Sequence, residues 1–294
     1  MTLIELILLY GAIVGGIYAL LALGFTLIYG VAGVTNLAHG SFFMLGAYVV
    51  SAFSFVFFKL DPILSVFFAV IIVGVSASVI YRLAIHPVIE DEVAVMVVTV
   101  SLALILQQLM LLIFTAENRP VPTFVEGSTV FLGVTLTYAR MLSFVLSIAL
   151  FAILFAFISK TKIGKAMRAV SQDREVAMLM GVNTERIYML TMALSAVLAA
   201  VAGIFIASST TGVAASWMWL TPLGLSFSIV TLGGLGSIKG SLIGGFIIGY
   251  AEQAVAISFP EGGAIIPVVP FTVLVLVLLI RPKGLFGKRV EMED

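Results

Sequence analysis

Long uncharged apolar stretches constrain the fold of this chain more than any other sequence feature. Seven segments contain no Asp, Glu, Lys or Arg: Leu6–Phe58, Pro62–Tyr81, Val93–Ala116, Met141–Ser159, Ile187–Ile238, Gly240–Ala251 and Gly262–Ile280. One membrane crossing needs about 20 apolar residues, so the first and fifth segments can each cross twice. The pattern predicts an all-α integral membrane protein with eight or nine transmembrane helices, some of them broken. The number depends on whether Leu223–Leu232 spans fully or forms a half-helix.

The composition excludes the main classes of soluble protein. Hydrophobic residues make up 62% of the 294 residues and charged residues 10%, against about 25% charged in a typical soluble domain. A soluble fold of this size could not bury so much apolar surface. Solid apolar blocks, without alternation, favour helices over a barrel. Because there is no net charge, no cysteine and only two histidines, we expect no nucleic-acid partner, no disulfide and no thiolate or multi-histidine metal centre.

The basic residues predict the orientation of the helices. Ten of the fifteen lie in two places: Lys160, Lys162, Lys165, Arg168, Arg174 and Arg186, then Arg281, Lys283, Lys288 and Arg289. The positive-inside rule places both groups in the cytoplasm, which requires an even number of spans between them, and residues 187–280 supply four. We therefore expect one transmembrane domain over residues 1–294 in the cell (inner or plasma) membrane, with a cytoplasmic C-terminus.

The same alternation assigns the loops. Residues 160–187 form a cytoplasmic loop, and residues 115–140 form an external loop in which glycines and prolines favour a small hairpin. Because Glu5 is present and no basic residue precedes Lys59, the positive region of a signal peptide is missing. We therefore expect the first helix to be retained.

Two glycine-rich polar segments interrupt the apolar sequence. Gly30–Ser41 and Gly233–Gly240 combine glycines, which adopt unusual φ angles, with hydrogen-bonding side chains. Unpaired backbone groups cost several kcal/mol each in lipid, so such breaks persist only against protein or a water-filled cavity. The two segments align at an offset of 200 residues. Matching interruptions in two halves point to a transport site, and chance alignment among 27 glycines is the alternative.

Four polar residues within the apolar segments are candidates for a substrate pathway: Asn36, His39, Ser41 and Glu252. Ionisable groups inside a span are costly and often functional. Asn36 or His39 either lines the pathway or hydrogen-bonds the helix ends of the break. Glu252 either lines the pathway or lies near the external end of its helix, where its cost is small.

The basic loop contains a predicted short amphipathic helix. Asp173 suits its N-terminus, and Val176, Leu179 and Met180 fall at i, i+3 and i+4 to give one apolar face. Gly181 is expected to end the helix. The apolar face has to rest on the membrane surface or in a groove on a cytoplasmic partner, and the spacing leaves both alternatives open.

A series of motifs runs along nearly the whole chain: Tyr18–Gly24, Asn36–Gly40, Met44–Tyr48, Gly164–Ala169, Ala177–Asn183, Leu232–Ser237 and Arg281–Gly287. In order and spacing they resemble the permease subunits of ATP-binding-cassette importers for branched-chain amino acids. The resemblance implies the importer permease fold and transport of leucine, isoleucine, valine or a related apolar amino acid.

The resemblance also implies partners. A cytoplasmic coupling helix would dock on an ATPase through a Glu-Ala-Ala, three residues, Gly pattern; Glu175, Ala177 and Gly181 fit it, and Val176 departs from it. The implied assembly has a second permease subunit, similar or identical, two cytoplasmic ATPases and an external solute-binding protein, within membrane lipid. The chain lacks a P-loop, so the ATPase subunits would bind ATP, and the chain itself needs no cofactor.

Three other functions are alternatives to amino-acid import: transport of urea or a short amide, secondary transport and enzymatic activity. Relatives often carry Glu or Asp after the His-Gly pair, where this chain has Ser41, so urea or a short amide is an alternative substrate. A stand-alone secondary carrier usually needs buried carboxylates as relays, and Glu252 is almost the only candidate. No nucleophile–base or metal constellation is present, so we expect no enzymatic activity.

Overall fold

The apolar segments form a bundle of helices with one small β-hairpin. The computed structural model describes residues 3–131, 133–210, 212–215 and 218–286. The elements are α1 (Leu3–Ala32), α2 (His39–Ser51), α3 (Pro62–Ile80), α4 (Glu92–Phe114), β1 (Ser128–Phe131), β2 (Val134–Thr137), α5 (Tyr138–Lys160), α6 (Lys162–Gln172), α7 (Arg174–Leu179), α8 (Thr184–Ser209), α9 (Leu220–Gly233), α10 (Ile238–Ser258), α11 (Gly262–Ile265) and α12 (Val269–Ile280). Wider π-helical turns extend α2 to Phe57 and α3 to Ile85, and short 3₁₀ turns follow α3 and join α11 to α12.

Eight helical segments in the described residues are long and apolar enough to cross a membrane. The remaining candidate, α9, has 14 residues, which at 1.5 Å per residue is about 21 Å. The hydrocarbon core is about 30 Å thick, so α9 is too short to span it. Of the two possibilities for Leu223–Leu232, the structure therefore has the half-helix. The predicted all-α, multi-pass architecture is confirmed.

Polar side chains fix where six of the helices begin. Asp61 accepts a hydrogen bond from the Ile63 amide, with Pro62 in the first turn of α3. Side chains at the starts of α4, α6, α7, α8 and α10 act in the same way: Asp91, Thr161, Asp173, Asn183 and Ser237. Each such cap stabilises its helix by about 1 kcal/mol. Neither α2 nor α9 has a side-chain cap.

Helix α1 lies at the centre and packs against α5, α8, α9 and α10. Glycines allow α10 to approach it closely. A Cβ added to Gly245 would lie 2.6 Å from the Ala19 amide nitrogen, and one added to Gly249 would lie 2.5 Å from Gly15 Cα. Backbone contact of this kind maximises van der Waals packing, which replaces the hydrophobic effect between helices in lipid.

One end of the bundle, here called the basic end, comprises residues 86–91, 160–183 and 281–286. The Arg174 guanidinium lies 3.5 Å from the Glu90 carboxylate, and Phe286 lines the same cavity as both residues. The described part of the C-terminal segment therefore lies at the same end as the long basic loop, as predicted. Among the described residues, three helical spans lie between them, and the fourth crossing is made by the segment around Val213, which pairs with Arg119, together with the half-helix α9. Residues from 287 onward, including Lys288 and Arg289, are outside the described residues.

The opposite end carries the β-hairpin. β1 and β2 pair antiparallel, with Phe131 opposite Val134, which confirms the predicted hairpin. Val134 and Leu136 are buried in a small cluster with Ile13 of α1. Nearby, the Ser51 hydroxyl donates to the Pro120 carbonyl at 2.7 Å, which ties the connection after α4 to α2.

We expect Gly245→Ala to lower the free energy of unfolding by about 1–3 kcal/mol, because the added methyl group has to displace the α1 backbone. Thermal unfolding of the purified protein in detergent measures the effect. Gly263→Ala is the matched control: Gly263 is exposed on α11 and its Cβ would meet nothing within 4 Å. Equal unfolding temperatures for the two variants would contradict the packing described.

Candidate functional site

The first break in the helices, residues 33–38, satisfies its backbone with side chains. Gly33 adopts a φ of +71° as α1 ends. The Asn36 carboxamide oxygen accepts from the Ala38 amide at 3.0 Å, and the Thr99 hydroxyl of α4 accepts from the Leu37 amide at 3.1 Å. These contacts supply hydrogen bonds that a helix would otherwise supply, which allows non-helical backbone inside the bundle.

His39 is fully buried and joins three helices at the start of α2. Its Nε2 lies 3.1 Å from the Leu21 carbonyl oxygen of α1, and its Nδ1 lies 3.3 Å from the Ser195 hydroxyl of α8. The ring also meets Phe25 edge to face. Both hydrogen-bond partners lie in the middle of their helices and not at the helix ends of the break.

Asn36 and Ser41 extend the same contacts. The Asn36 amide group donates to the Met192 sulfur of α8 at 3.4 Å, and the Ser41 hydroxyl points to the Ala103 carbonyl of α4 at 3.5 Å. Both side chains are buried. The structure thus brings Asn36, His39 and Ser41 together as a set that links α1, α4 and α8, which we call the first-break cluster.

The segment before α9 reaches the same level of the bundle. A Cβ on Gly40 would collide with the Trp219 carbonyl oxygen, so only glycine allows the start of α2 to touch this backbone. The Tyr48 hydroxyl, further along α2, accepts from the Ala215 amide at 2.8 Å. The backbones at the start of α2 and immediately before α9 therefore touch each other, a contact that the sequence did not indicate.

The second break, residues 234–237, touches the end of α1. Gly234 and Gly236 adopt φ values of +99° and +77°, and a Cβ on Gly30 would lie 3.4 Å from Gly236 Cα. The Thr26 and Ser241 hydroxyls form a hydrogen bond beside this contact. The unit of a break followed by a helix thus recurs in both halves, although the preceding helices, α1 and α9, differ in length.

A cavity of about 920 Å³ opens at the basic end between the two breaks and α6–α7. Its lining combines the end of α1, the second break and charged side chains, among them Tyr29, Gly33, Glu90, Arg174, Glu175 and Gly236. The buried residues of the first-break cluster and Glu252 do not line it. The described residues contain no group of three His, Cys, Asp or Glu side chains that could hold a metal ion.

Glu252 lies apart from the first-break cluster, between α10 and α1. Its side chain is buried, and its carboxylate accepts from the Tyr18 hydroxyl at 2.6 Å. Tyr18 is one turn from Leu21, the partner of His39. Glu252 lies six residues before the last residue of α10, and its partner Tyr18 was not indicated by the sequence.

The predicted amphipathic helix is present as α7. The Asp173 carboxylate accepts from the Val176 amide at 2.9 Å. At the other end Gly181, with φ +83°, donates to the Met178 carbonyl, and the Val182 amide donates to the Ala177 carbonyl. This pair of bonds is the Schellman motif that glycine favours. The helix is therefore fixed at both ends.

The two faces of α7 differ sharply. Ala177 is buried, whereas Leu179 and Met180 are 86% and 80% exposed. Val176 is exposed as well, and Glu175 lines the cavity at the basic end. The apolar face predicted from the sequence is thus unpartnered in the isolated chain.

Arg174, which the sequence did not single out, connects α7 to its surroundings. Besides its 3.5 Å contact with Glu90, its guanidinium lies 5.9 Å from the centre of the Tyr188 ring on α8. A partly exposed ion pair contributes about 0–1 kcal/mol. Arg174 nevertheless joins α7, α8 and the turn between α3 and α4 at one point.

Comparison with known proteins agrees with the fold. Residues 7–280 match the family model described as branched-chain amino acid transport system / permease component. The high-affinity branched-chain amino acid transport system permease protein BraD of Pseudomonas aeruginosa is 33% identical over 96% of this chain and 95% of its own. Its counterpart LivH of Salmonella typhimurium is 30% identical over the same shares. The solved structure of PsaBC from Streptococcus pneumoniae in complex with Fab has the same fold, with a TM-score of 0.55 and 13% identity over 94% of this chain and 92% of that one.

His39→Ala is expected to lower the free energy of unfolding by about 1–3 kcal/mol, because it removes a buried ring that packs on Phe25 and hydrogen-bonds the Leu21 carbonyl and the Ser195 hydroxyl. His86→Ala, an exposed histidine in the turn after α3, is the control, with an expected change within about 0.5 kcal/mol. Denaturation of both purified variants measures the difference. A His39 variant as stable as the His86 variant would contradict the role assigned to the first-break cluster.

Proposed function

This chain belongs to the family of branched-chain amino acid permease components, and on that basis we propose that it forms the transmembrane pathway of an ATP-binding-cassette importer. The substrate is a branched-chain or related apolar amino acid, since BraD and LivH carry that substrate in their names. The observation that carries the coupling part of the proposal is the exposed apolar face of α7 at the basic end.

Docking on an ATPase accounts for the exposure of this face. Leu179 and Met180 project from a helix that is fixed at both ends, so little ordering entropy opposes their burial in a preformed groove. Glu175, Ala177 and Gly181 hold the positions that the family pattern gives to the coupling helix. Ala177 packs inward and Gly181 forms the turn, which leaves Glu175 and the apolar side chains for the partner.

Motion of α7 would reach the membrane through Arg174. This side chain contacts Glu90, in the turn between α3 and α4, and Tyr188, near the start of α8. A displacement of α7 therefore pulls on three spans at once. Helix α8 also carries Ser195 and Met192, the partners of His39 and Asn36. A shift of α8 therefore changes the contacts of the first-break cluster.

The two breaks are where the pathway opens. Their backbone is held by tertiary hydrogen bonds, which can exchange between two arrangements more easily than a helix can unwind. In the state seen here Asn36, His39 and Ser41 are buried, and they line the substrate path only when α1, α4 and α8 separate. Glu252 reaches the path only when the Tyr18 hydroxyl releases it.

Charge and stoichiometry support the remaining partners of this proposal. The basic end faces the cytoplasm by the positive-inside rule, which puts the hairpin end outside, where a solute-binding protein delivers the substrate. One chain offers one α7, and two ATPases need two coupling helices. A second permease subunit, similar or identical, completes the pathway.

Leu179→Glu is expected to lower the affinity for the ATPase subunit at least tenfold, because the charge cannot be buried without a partner. The fold should be unaffected, since the wild-type side chain is 86% exposed. Leu179→Met is the matched control and should bind as the wild type does. Pull-down of the ATPase subunits by each purified variant measures the affinity.

Equal capture of the ATPase by Leu179→Glu and by Leu179→Met would rule out docking through this face. Unchanged capture of the ATPase by Leu179→Glu, together with a shallower depth of α7 in proteoliposomes, would instead assign the apolar face of α7 to the membrane surface.

Transport by the reconstituted assembly tests the substrate and the energy source. Proteoliposomes containing both permease subunits, the ATPases and the binding protein should accumulate leucine only when ATP is supplied, and an excess of urea should not compete. Uptake by this chain alone, driven by an ion gradient, would show a secondary carrier. Competition by urea would assign the pathway to urea or short amides.

A further inference from the structure

A groove lies between α5 and α10 on the outside of the bundle. One face of α5, including Phe151 and Ala152, and one face of α10, including Leu242 and Phe246, line a space of about 480 Å³. Helix α1 packs against both helices and separates them. Apart from Lys239, every lining residue is apolar. The groove runs along membrane-spanning helices, so its natural occupant is apolar.

At the basic end the groove joins a second cavity of about 310 Å³, here called the basic pocket. The two share Phe155, Ile238 and Lys239. The basic pocket adds Arg168 of α6 and the hydroxyl-bearing residues Thr26, Ser171 and Ser237. The apolar groove therefore continues into a pocket that two basic side chains, Arg168 and Lys239, border.

Neither cavity contributes a negative charge. None of the described lining residues is acidic, and the ion pair found in the described part of the chain is between Arg174 and Glu90. Lys239 and Arg168 thus have no carboxylate partner there; the Arg168 guanidinium donates to the Ser159 carbonyl at 3.1 Å. The basic pocket is complementary to an anion.

The position of α6 places the basic pocket at the edge of the membrane. This helix buries Met167 and Val170 against the bundle and exposes Lys162, Lys165 and Arg168. Such a helix lies in the plane of the interface. The apolar groove then extends into the hydrocarbon layer, while the basic pocket lies at the depth of the lipid headgroups.

We propose that the groove and the basic pocket together bind one anionic glycerophospholipid. An acyl chain occupies the groove, and the phosphate contacts Lys239 and Arg168, in the manner of basic pockets between transmembrane helices. An apolar protein helix would fill the groove but leave Lys239 and Arg168 without an anion, whereas the lipid supplies both the apolar chain and the phosphate.

The test uses the full-length chain purified in detergent and incubated with an equimolar mixture of dioleoyl-phosphatidylglycerol and dioleoyl-phosphatidylcholine. Native mass spectrometry then counts the lipids that each variant retains. The wild type should retain phosphatidylglycerol in preference. Lys239→Gln and Arg168→Gln should each lower that retention about fivefold, the factor corresponding to ~1 kcal/mol for one base at an anionic surface. Lys165→Gln, on α6 but outside the basic pocket, is the charge control.

The groove is tested separately with tryptophan. Ala152→Trp fills the groove and should reduce retention of phosphatidylglycerol, whereas Ala149→Trp, on an exposed part of α5 outside the groove, should not. Melting temperatures show whether each variant is folded. Neither measurement involves ATP or transport, so the result is independent of the proposed function.

Three results would overturn the proposal. The first is equal retention of the two lipids by the wild type. The second is unchanged retention of phosphatidylglycerol by Lys239→Gln and Arg168→Gln. The third is unchanged retention of phosphatidylglycerol by Ala152→Trp. In that case, displacement of the lipid by soluble glycerol phosphate would assign the basic pocket to a free phosphate. Loss of self-association of the chain in the same variant would assign the groove to another protein chain.

Discussion

The structure depends on how two stretches of non-helical backbone are satisfied inside a membrane. Lipid offers no hydrogen bonds, so each unpaired amide or carbonyl costs several kcal/mol. At the first break Asn36 and Thr99 supply the missing bonds, and at the second break Ser237 caps α10. Tertiary contacts thus replace helical ones, which ties each break to its neighbours. A helix beside a break cannot shift without changing these bonds.

Close packing around α1 is a second constraint on how the helices can move. Gly15, Gly245 and Gly249 bring the α1 and α10 backbones into contact, and Gly40 does the same for α2 and the segment before α9. These contacts are the least able to adjust, because no flexible side chain separates the helices. Movement between states is therefore expected to leave α1 and α10 together and to involve α4 and α8, which meet the first break through side chains.

Local patterns predicted much of this fold, and pairing between helices was not predictable. Gly181 and Asp173 act over a single turn, so their roles as helix ends could be inferred from the sequence. The contact of His39 with Ser195 and that of Glu252 with Tyr18 join residues 156 and 234 positions apart. Because the spans are apolar on every side, hydrophobic periodicity does not indicate which faces meet. The sequence therefore located the polar residues without identifying their partners.

Helix α6 connects the proposed lipid site to the proposed coupling helix. Ser171 lines both the basic pocket and the large cavity at the basic end, and Asp173 alone separates α6 from α7. If a lipid holds α6 at the membrane edge while an ATPase moves α7, the backbone around Asp173 has to absorb the difference. Arg174, the next residue, then directs the displacement toward Glu90 and Tyr188. An anchored α6 would thus transmit motion of the ATPase to α3, α4 and α8. A free α6 would instead follow α7, and the displacement would not reach these helices.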